Sequence, residues 1–113
     1  VLHTNHPNEI NSEVILALQK LSEINITLLN QSVLLKNINN HHKTLISLSE
    51  KLWNAGVLPY YLHLLDKVTG TAHFDIDELT AKDLINKLQE NLPGYLVPRL
   101  VREVPGEKHK ILV

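Results

Sequence analysis

The chain alternates between apolar residues at helical spacing and short continuous apolar runs. Over 12–23, Val14, Ala17, Leu18 and Leu21 recur at three- and four-residue intervals, which predicts one apolar face of a helix. Asn11 and Ser12 can cap its start, and Glu13 falls in the first turn, where the helix dipole favours an anion. Residues 26–35 are β-branched and apolar around a polar Asn30-Gln31-Ser32, which reads as a buried strand with a polar interruption. A turn cluster follows at Asn37-Ile38-Asn39-Asn40. Leu45, Leu48 and Leu52 predict a second helix over 43–55, with Gly56 at its C-cap. Residues 57–65 predict a second strand with Pro59 near its start, and 66–74 a loop. Asp77 or Thr80 can cap a third helix, whose face is Ala81, Leu84, Ile85, Leu88 and Leu92 and which Pro93-Gly94 ends. A third strand is expected from Tyr95 to Val101, with Pro98 as a blemish, and the tail 105–110 as a loop.

Continuous apolar strands alternating with amphipathic helices predict an α/β fold with parallel pairing and helices covering the sheet. Three or four strands make an open piece and not a closed barrel. Val1-Leu2 reads as the tail of a strand that began upstream. In such folds the active site lies beyond the C-terminal ends of the strands. The segments there are Asn5 to Glu9, Lys36 to Asn40, Asp66 to Phe74 and Glu103 to Lys110, all rich in polar and turn-forming residues. The helix-to-strand turns are short and plain. This asymmetry is what an active-site face predicts.

Composition narrows the picture. With 113 residues the chain holds one domain, spanning 1–113. A net charge of -1 gives no electrostatic reason to expect nucleic acid or an acidic membrane surface as partner. No apolar run approaches a membrane span, and the N-terminus lacks signal-peptide organisation, so a cytoplasmic location is expected. The sequence contains no cysteine, which excludes a disulfide, a thiolate nucleophile and any cysteine-held cluster from these residues. It contains no methionine either, and we expect a segment of a longer protein.

Seven histidines are present, but none shows the one-face helical spacing of a metal pair, so no metal site is expected in this chain. Asp66 ends a strand before a glycine-containing loop. It reads equally as a turn former and as an acid holding a substrate cation at the mouth of the sheet. Glu103, just past the third strand, carries the same two readings. Lys110 follows a Pro-Gly turn and could form a Schiff base with an aldehyde cofactor. On position alone the favoured reading is a solvated tail lysine like its neighbour Lys108.

Several segments, in order and spacing, resemble a known family over nearly the whole chain. They are Asn5-His6-Pro7-Asn8-Glu9-Ile10, Asn30-Gln31-Ser32-Val33-Leu34-Leu35, Pro59-Tyr60-Tyr61, Asp66 with Gly70 and His73-Phe74, and Gly94-Tyr95-Leu96-Val97-Pro98. The chain resembles the C-terminal part of the lysine 2,3-aminomutase family of radical S-adenosylmethionine (SAM) enzymes. The resemblance implies the C-terminal portion of a partial TIM-like (β/α) barrel, ending in a cofactor-lysine loop at about 103–113. It implies pyridoxal phosphate (PLP), SAM and a [4Fe-4S] cluster as cofactors, and L-lysine as the small-molecule substrate. A radical generated from SAM takes a β-hydrogen from lysine, and the amino group migrates from Cα to Cβ.

The resemblance also implies roles. Lys110 matches the lysine that holds PLP, which reverses the reading from position alone. Asp66 and Glu103 match acids that pair with the distal ammonium of the substrate. Gln31, Asn5 and His6 would lie near SAM or PLP. Family members acting on free lysine in catabolism usually carry Asp where Glu103 stands, and a glycine-rich loop where this chain has Pro105-Gly106-Glu107-Lys108-His109-Lys110. That departure favours the branch that makes β-lysine for elongation factor P modification. The cysteine motif that binds the cluster is missing here, so this chain alone is expected to be inactive. A catabolic lysine or other amino acid 2,3-aminomutase is the alternative, and a non-catalytic α/β binding module is the alternative from another class. Unpaired edges of an open parallel sheet also raise the expectation of a homo-oligomer.

Overall fold

A computed structural model of the chain describes residues 1–65, 76–102 and 109–113. The α/β expectation holds: three parallel strands and one antiparallel strand form a sheet whose order follows the sequence, with helices between. Helix α1, Ser12–Ser22, is capped by the Asn11 side chain, which accepts from the Val14 N–H. Strand β1 is Leu28–Leu34, helix α2 is His42–Asn54 and strand β2 is Val57–Leu64. Gly56 ends α2 with φ +82, a left-handed conformation that costs glycine little. Helix α3, Glu78–Asn91, starts at Asp77, whose carboxylate accepts from the Thr80 N–H at 2.8 Å. Asp77 is thus the cap and Thr80 the residue it caps.

The strand expected from Tyr95 to Val101 is corrected. Residues Gly94–Leu96 form a 3-10 turn closed by the Leu96 N–H on the Pro93 carbonyl, and strand β3 is Arg99–Arg102. Pro98 fixes its own φ and has no N–H to give, so the ladder begins after it. Strand β4, Ile111–Leu112, pairs antiparallel with β3 and was not expected at all. The reading of wholly parallel pairing is corrected there. Leu2 makes an isolated parallel bridge to Asn30, giving its N–H to the Leu29 carbonyl and accepting from the Gln31 N–H.

Two core clusters lie against one side of the sheet, while Val101, 1% exposed, is buried on the other. Leu34, Leu62, Leu64 and Leu100 from three strands meet Leu45 of α2 and Ala81, Leu84 and Leu88 of α3. A second cluster joins Ile10, Leu18, Leu28, Leu48, Leu52 and Val57. The i, i+3, i+4 spacing of the leucines is therefore spent on one helix-covered face.

The polar residues of β1 on that covered face are fully employed. Asn30 is 1% exposed; it accepts from the Thr4 N–H at 2.9 Å and donates to the Thr4 carbonyl at 3.0 Å. Ser32 Oγ donates to the same carbonyl at 2.7 Å. These side chains continue the pairing between the Leu2 segment and β1 where backbone bonds stop. Asn39 closes the end: it accepts from the Leu35 N–H and donates to the carbonyls of Asn5 and Val33, each at 2.8 Å. A buried amide with such partners offsets its own desolvation.

Candidate active site

The open face of the sheet is set by one irregularity. The β1–β2 register runs Asn30 to Pro59, then jumps to Gln31 opposite Tyr61, leaving Tyr60 as the extra residue of a bulge. Side chains alternate across a strand, so this insertion exchanges the faces of everything after it. Val57 and Pro59 are buried before the bulge, and Leu62 and Leu64 after it. Tyr61 and His63 are thereby aimed at the side opposite the helices, beside Gln31 and Val33.

Pairing carries the same face across the sheet. Tyr61 lies opposite Arg99 and His63 opposite Val101, and Val101 pairs with Leu112 of β4. Lys110, two residues before Leu112, returns to this side: its Nζ stands 5.4 Å from the centre of the Tyr61 ring. A lysine ammonium over an aromatic face at that distance is attracted by the ring quadrupole. Tyr61 meets the His63 ring edge-on at 6.0 Å, and His63 Nε2 lies 3.3 Å from Gln31 Oε1. The Nε2–H tautomer would donate to that amide oxygen. Desolvation, then the hydrogen bond and charge of Tyr60, hold the Tyr61 phenol above its ordinary 10.0, with Arg99 pulling the other way. Tyr61 therefore stays a neutral phenol near pH 7 and offers a ring and a hydroxyl, not an anion.

Of the residues expected at the site, the structure brings Lys110 and Gln31 onto one face, linked through Tyr61 and His63. Neither aromatic residue was nominated from the sequence. Pro59 was the signal that could have exposed them, because a proline inside a strand marks a bulge and a bulge shifts the alternation. Asn5 lies at the end of the Leu2 segment, where its Oδ1 accepts from the Val33 N–H at 2.9 Å and so prolongs the pairing with β1. His6 caps the 3-10 turn Pro7–Glu9: its Nδ1 accepts from the Asn8 N–H at 3.1 Å, while Glu9 accepts from the His6 N–H at 2.7 Å. Both side chains hold the first strand-end loop in shape. Asp66 and Glu103 lie outside the described residues.

Lys110 fits an aldehyde cofactor in chemistry and place: it is half-buried, on the open side and beside an aromatic ring. No such fit exists for an iron–sulfur cluster, whose usual thiolate ligands this cysteine-free chain does not supply. Among the described residues, no three His, Asp or Glu side chains converge as a metal site requires. A cavity of about 600 Å³ opens elsewhere, between α3 and the start of β3, lined in part by Ile85, Gly94, Arg99 and Leu112. It shares none of Gln31, Tyr61, His63 or Lys110. Among the described residues, no helix is long and apolar enough to cross a membrane.

Compared with known protein-family models, the chain matches none. Individual proteins are similar to it over almost its whole length. It is 54% identical over 112 residues to an L-lysine 2,3-aminomutase of Haemophilus influenzae, covering 99% of this chain and 33% of that protein. It is 48% identical over 110 residues to an L-lysine 2,3-aminomutase of Escherichia coli, covering 97% of this chain and 32% of that protein. Against the L-lysine 2,3-aminomutase of Clostridium subterminale it is 38% identical over 104 residues, covering 92% of this chain and 25% of that protein. The chain thus spans about a third or less of the length of these curated relatives. With about half of its residues shared with the first two of these proteins over nearly its whole length, the chain is consistent with a segment of a lysine 2,3-aminomutase-family protein.

Proposed function

We propose that this chain is the C-terminal part of a PLP-dependent radical SAM L-lysine 2,3-aminomutase, which converts α-lysine to β-lysine in the cytoplasm. The observation that carries this is the 54% identity to a protein of that name over nearly the whole chain. The sequential order β1, β2, β3 with two core clusters under the helices on one side supports a segment of a (β/α) barrel. In that reading the face carrying Gln31, Tyr61, His63 and Lys110 looks into the barrel.

Lys110 would hold PLP through its Nζ. PLP, when bound, supplies a conjugated ring that delocalises an unpaired electron during amino migration. Asp66 and Glu103 would grip the substrate's distal ammonium with charge-assisted bonds, which distinguishes lysine from uncharged amino acids. Gln31, oriented by His63, would border the cofactors from β1, and Asn5 and His6 would shape the neighbouring loop. The cluster ligands and the residues that cleave SAM would come from outside these 113 residues. This chain alone would then be inactive. The acid at Glu103 and the Pro-Gly-Glu-Lys-His-Lys loop favour a role in making β-lysine for elongation factor P over lysine catabolism.

The test uses the full-length protein with SAM, PLP and a reductant. L-lysine should yield β-lysine, detected by mass spectrometry after derivatisation, and norleucine, which lacks the ammonium, should not react. Asp66→Asn and Glu103→Gln should each raise KM for lysine about tenfold or more, the usual worth of one charged hydrogen bond. Equal turnover of norleucine and lysine would refute the assignment of the two acids.

A further inference from the structure

We propose that Tyr61 is a positioning residue for Lys110, delivered to it by the β2 bulge. The proposal rests on the reading of Lys110 as the lysine that takes the cofactor aldehyde, and it assigns a role to a residue outside that reading.

Lysine ends a flexible four-carbon stem, and a terminal-strand lysine has many rotamers open to it. Lys110 lies just before the two-residue strand β4, whose pairing with β3 sets the chain direction there. The Tyr61 ring supplies a second constraint, 5.4 Å from Nζ, on the open face. The ring is itself held. Tyr60 packs edge-on against it at 4.4 Å, His63 meets it from the next position on that face, and Gln31 contacts His63 from β1. None of this would exist in an unbroken strand. Without Tyr60 as the extra residue, position 61 would point into the helix-covered core, and Lys110 would face a different side chain. Pro59, which cannot donate to the ladder, stands at the point where the register breaks. The physical chain therefore runs from a proline, to a bulge, to the aim of an aromatic ring, to the location of an amine.

Tyr61 acts through its ring face. A ring at this distance favours the lysine rotamers that keep Nζ over the open face against those that swing it into solvent. Loss of the ring should therefore reduce capture of PLP at Lys110, and removal of the hydroxyl alone should not.

The experiment uses the full-length protein, titrated with PLP and followed by visible absorbance. Borohydride then fixes the bond between the PLP aldehyde carbon and the lysine nitrogen as a secondary amine, and peptide mapping reads the ratio of Lys110 to Lys108 labelling. Tyr61→Leu should weaken apparent PLP affinity and lower the Lys110 to Lys108 ratio, each by about threefold, the scale of an exposed cation–π contact. Tyr61→Phe should restore both to near wild type. Thermal unfolding checks that the variants fold, and Tyr61→Gln carries the same expectation should Tyr61→Leu fail to fold. Wild-type labelling at Lys110 with no change in Tyr61→Leu or Tyr61→Gln overturns the role of Tyr61 and leaves the cofactor reading intact. Absence of label at Lys110 in the wild type overturns the cofactor reading, and this role with it.

Discussion

On the helix-covered side of β1, Asn30 and Ser32 are buried and bonded to Thr4 and to each other. On the open side, between them in sequence, Gln31 stays half-buried and reaches His63 across to β2. Three consecutive polar residues thus divide into two kinds of work. Two replace missing backbone pairing and belong to the fold. One faces the side on which Lys110 and Tyr61 meet. Polarity inside a strand therefore signals either a buried structural network or a site, and only the face decides which. The same division separates Leu62 from its neighbours Tyr61 and His63 on β2.

Removing one residue from each face is the strongest way to break this comparison. Leu62 is 0% exposed in the core, so Leu62→Ala should cost about 2–5 kcal/mol of stability in urea unfolding. His63→Ala, one position away, should cost under about 1 kcal/mol. Comparable losses would show that both faces are structural. A sharper version uses β1 alone. Asn30→Ala strands the Thr4 N–H and should cost about 1–3 kcal/mol. Gln31→Ala should stay within about 0.5 kcal/mol of wild type and weaken cofactor binding instead, as read by PLP and SAM titration.

Smaller effects test the local devices that hold the two faces in place. Asp77→Ala removes the cap that starts α3 over the core, and its cost should be about 1 kcal/mol by the same unfolding measurement. His42, at the first position of α2, is held below its ordinary 6.5, by desolvation first and then by His41, Lys87 and Lys43, with Asp83 opposing. The unfolded chain then takes up this proton before the folded one does. Stability is unaffected by the group above pH 6.5 and declines as pH falls through 6.5 toward the lower folded-state value. His42→Gln should flatten that decline slightly. An unchanged slope in pH-dependent unfolding would show that His42 does not set this decline.

The helices were legible because their leucine spacing and caps are local. Asn11, Gly56 and Asp77 each act within a few residues of where they stand. The strands were legible as apolar runs, but their fine structure was not. Pro98 delays β3 and a 3-10 turn replaces its expected start, which apolar content alone does not reveal. Strand β4 has only two residues, too few for any periodicity, and exists because β3 offers it an edge. Of the candidate site, Lys110 and Gln31 were nominated from the sequence through family resemblance, and the structure places them on one face. Tyr61 and His63 stayed hidden because a bulge, a tertiary feature of two paired strands, turns their faces. Asn5 and His6 were named as cofactor neighbours, and their side chains here bond the strand-end backbone.

In the proposed function the open face holds the cofactor, with Lys110 as its anchor. The most direct measurement is borohydride reduction of the full-length protein in the presence of PLP, followed by digestion and peptide mapping. The label is expected on Lys110, and both it and the visible absorbance should disappear in Lys110→Ala. Label on Lys108, or absorbance that survives Lys110→Ala, would contradict it.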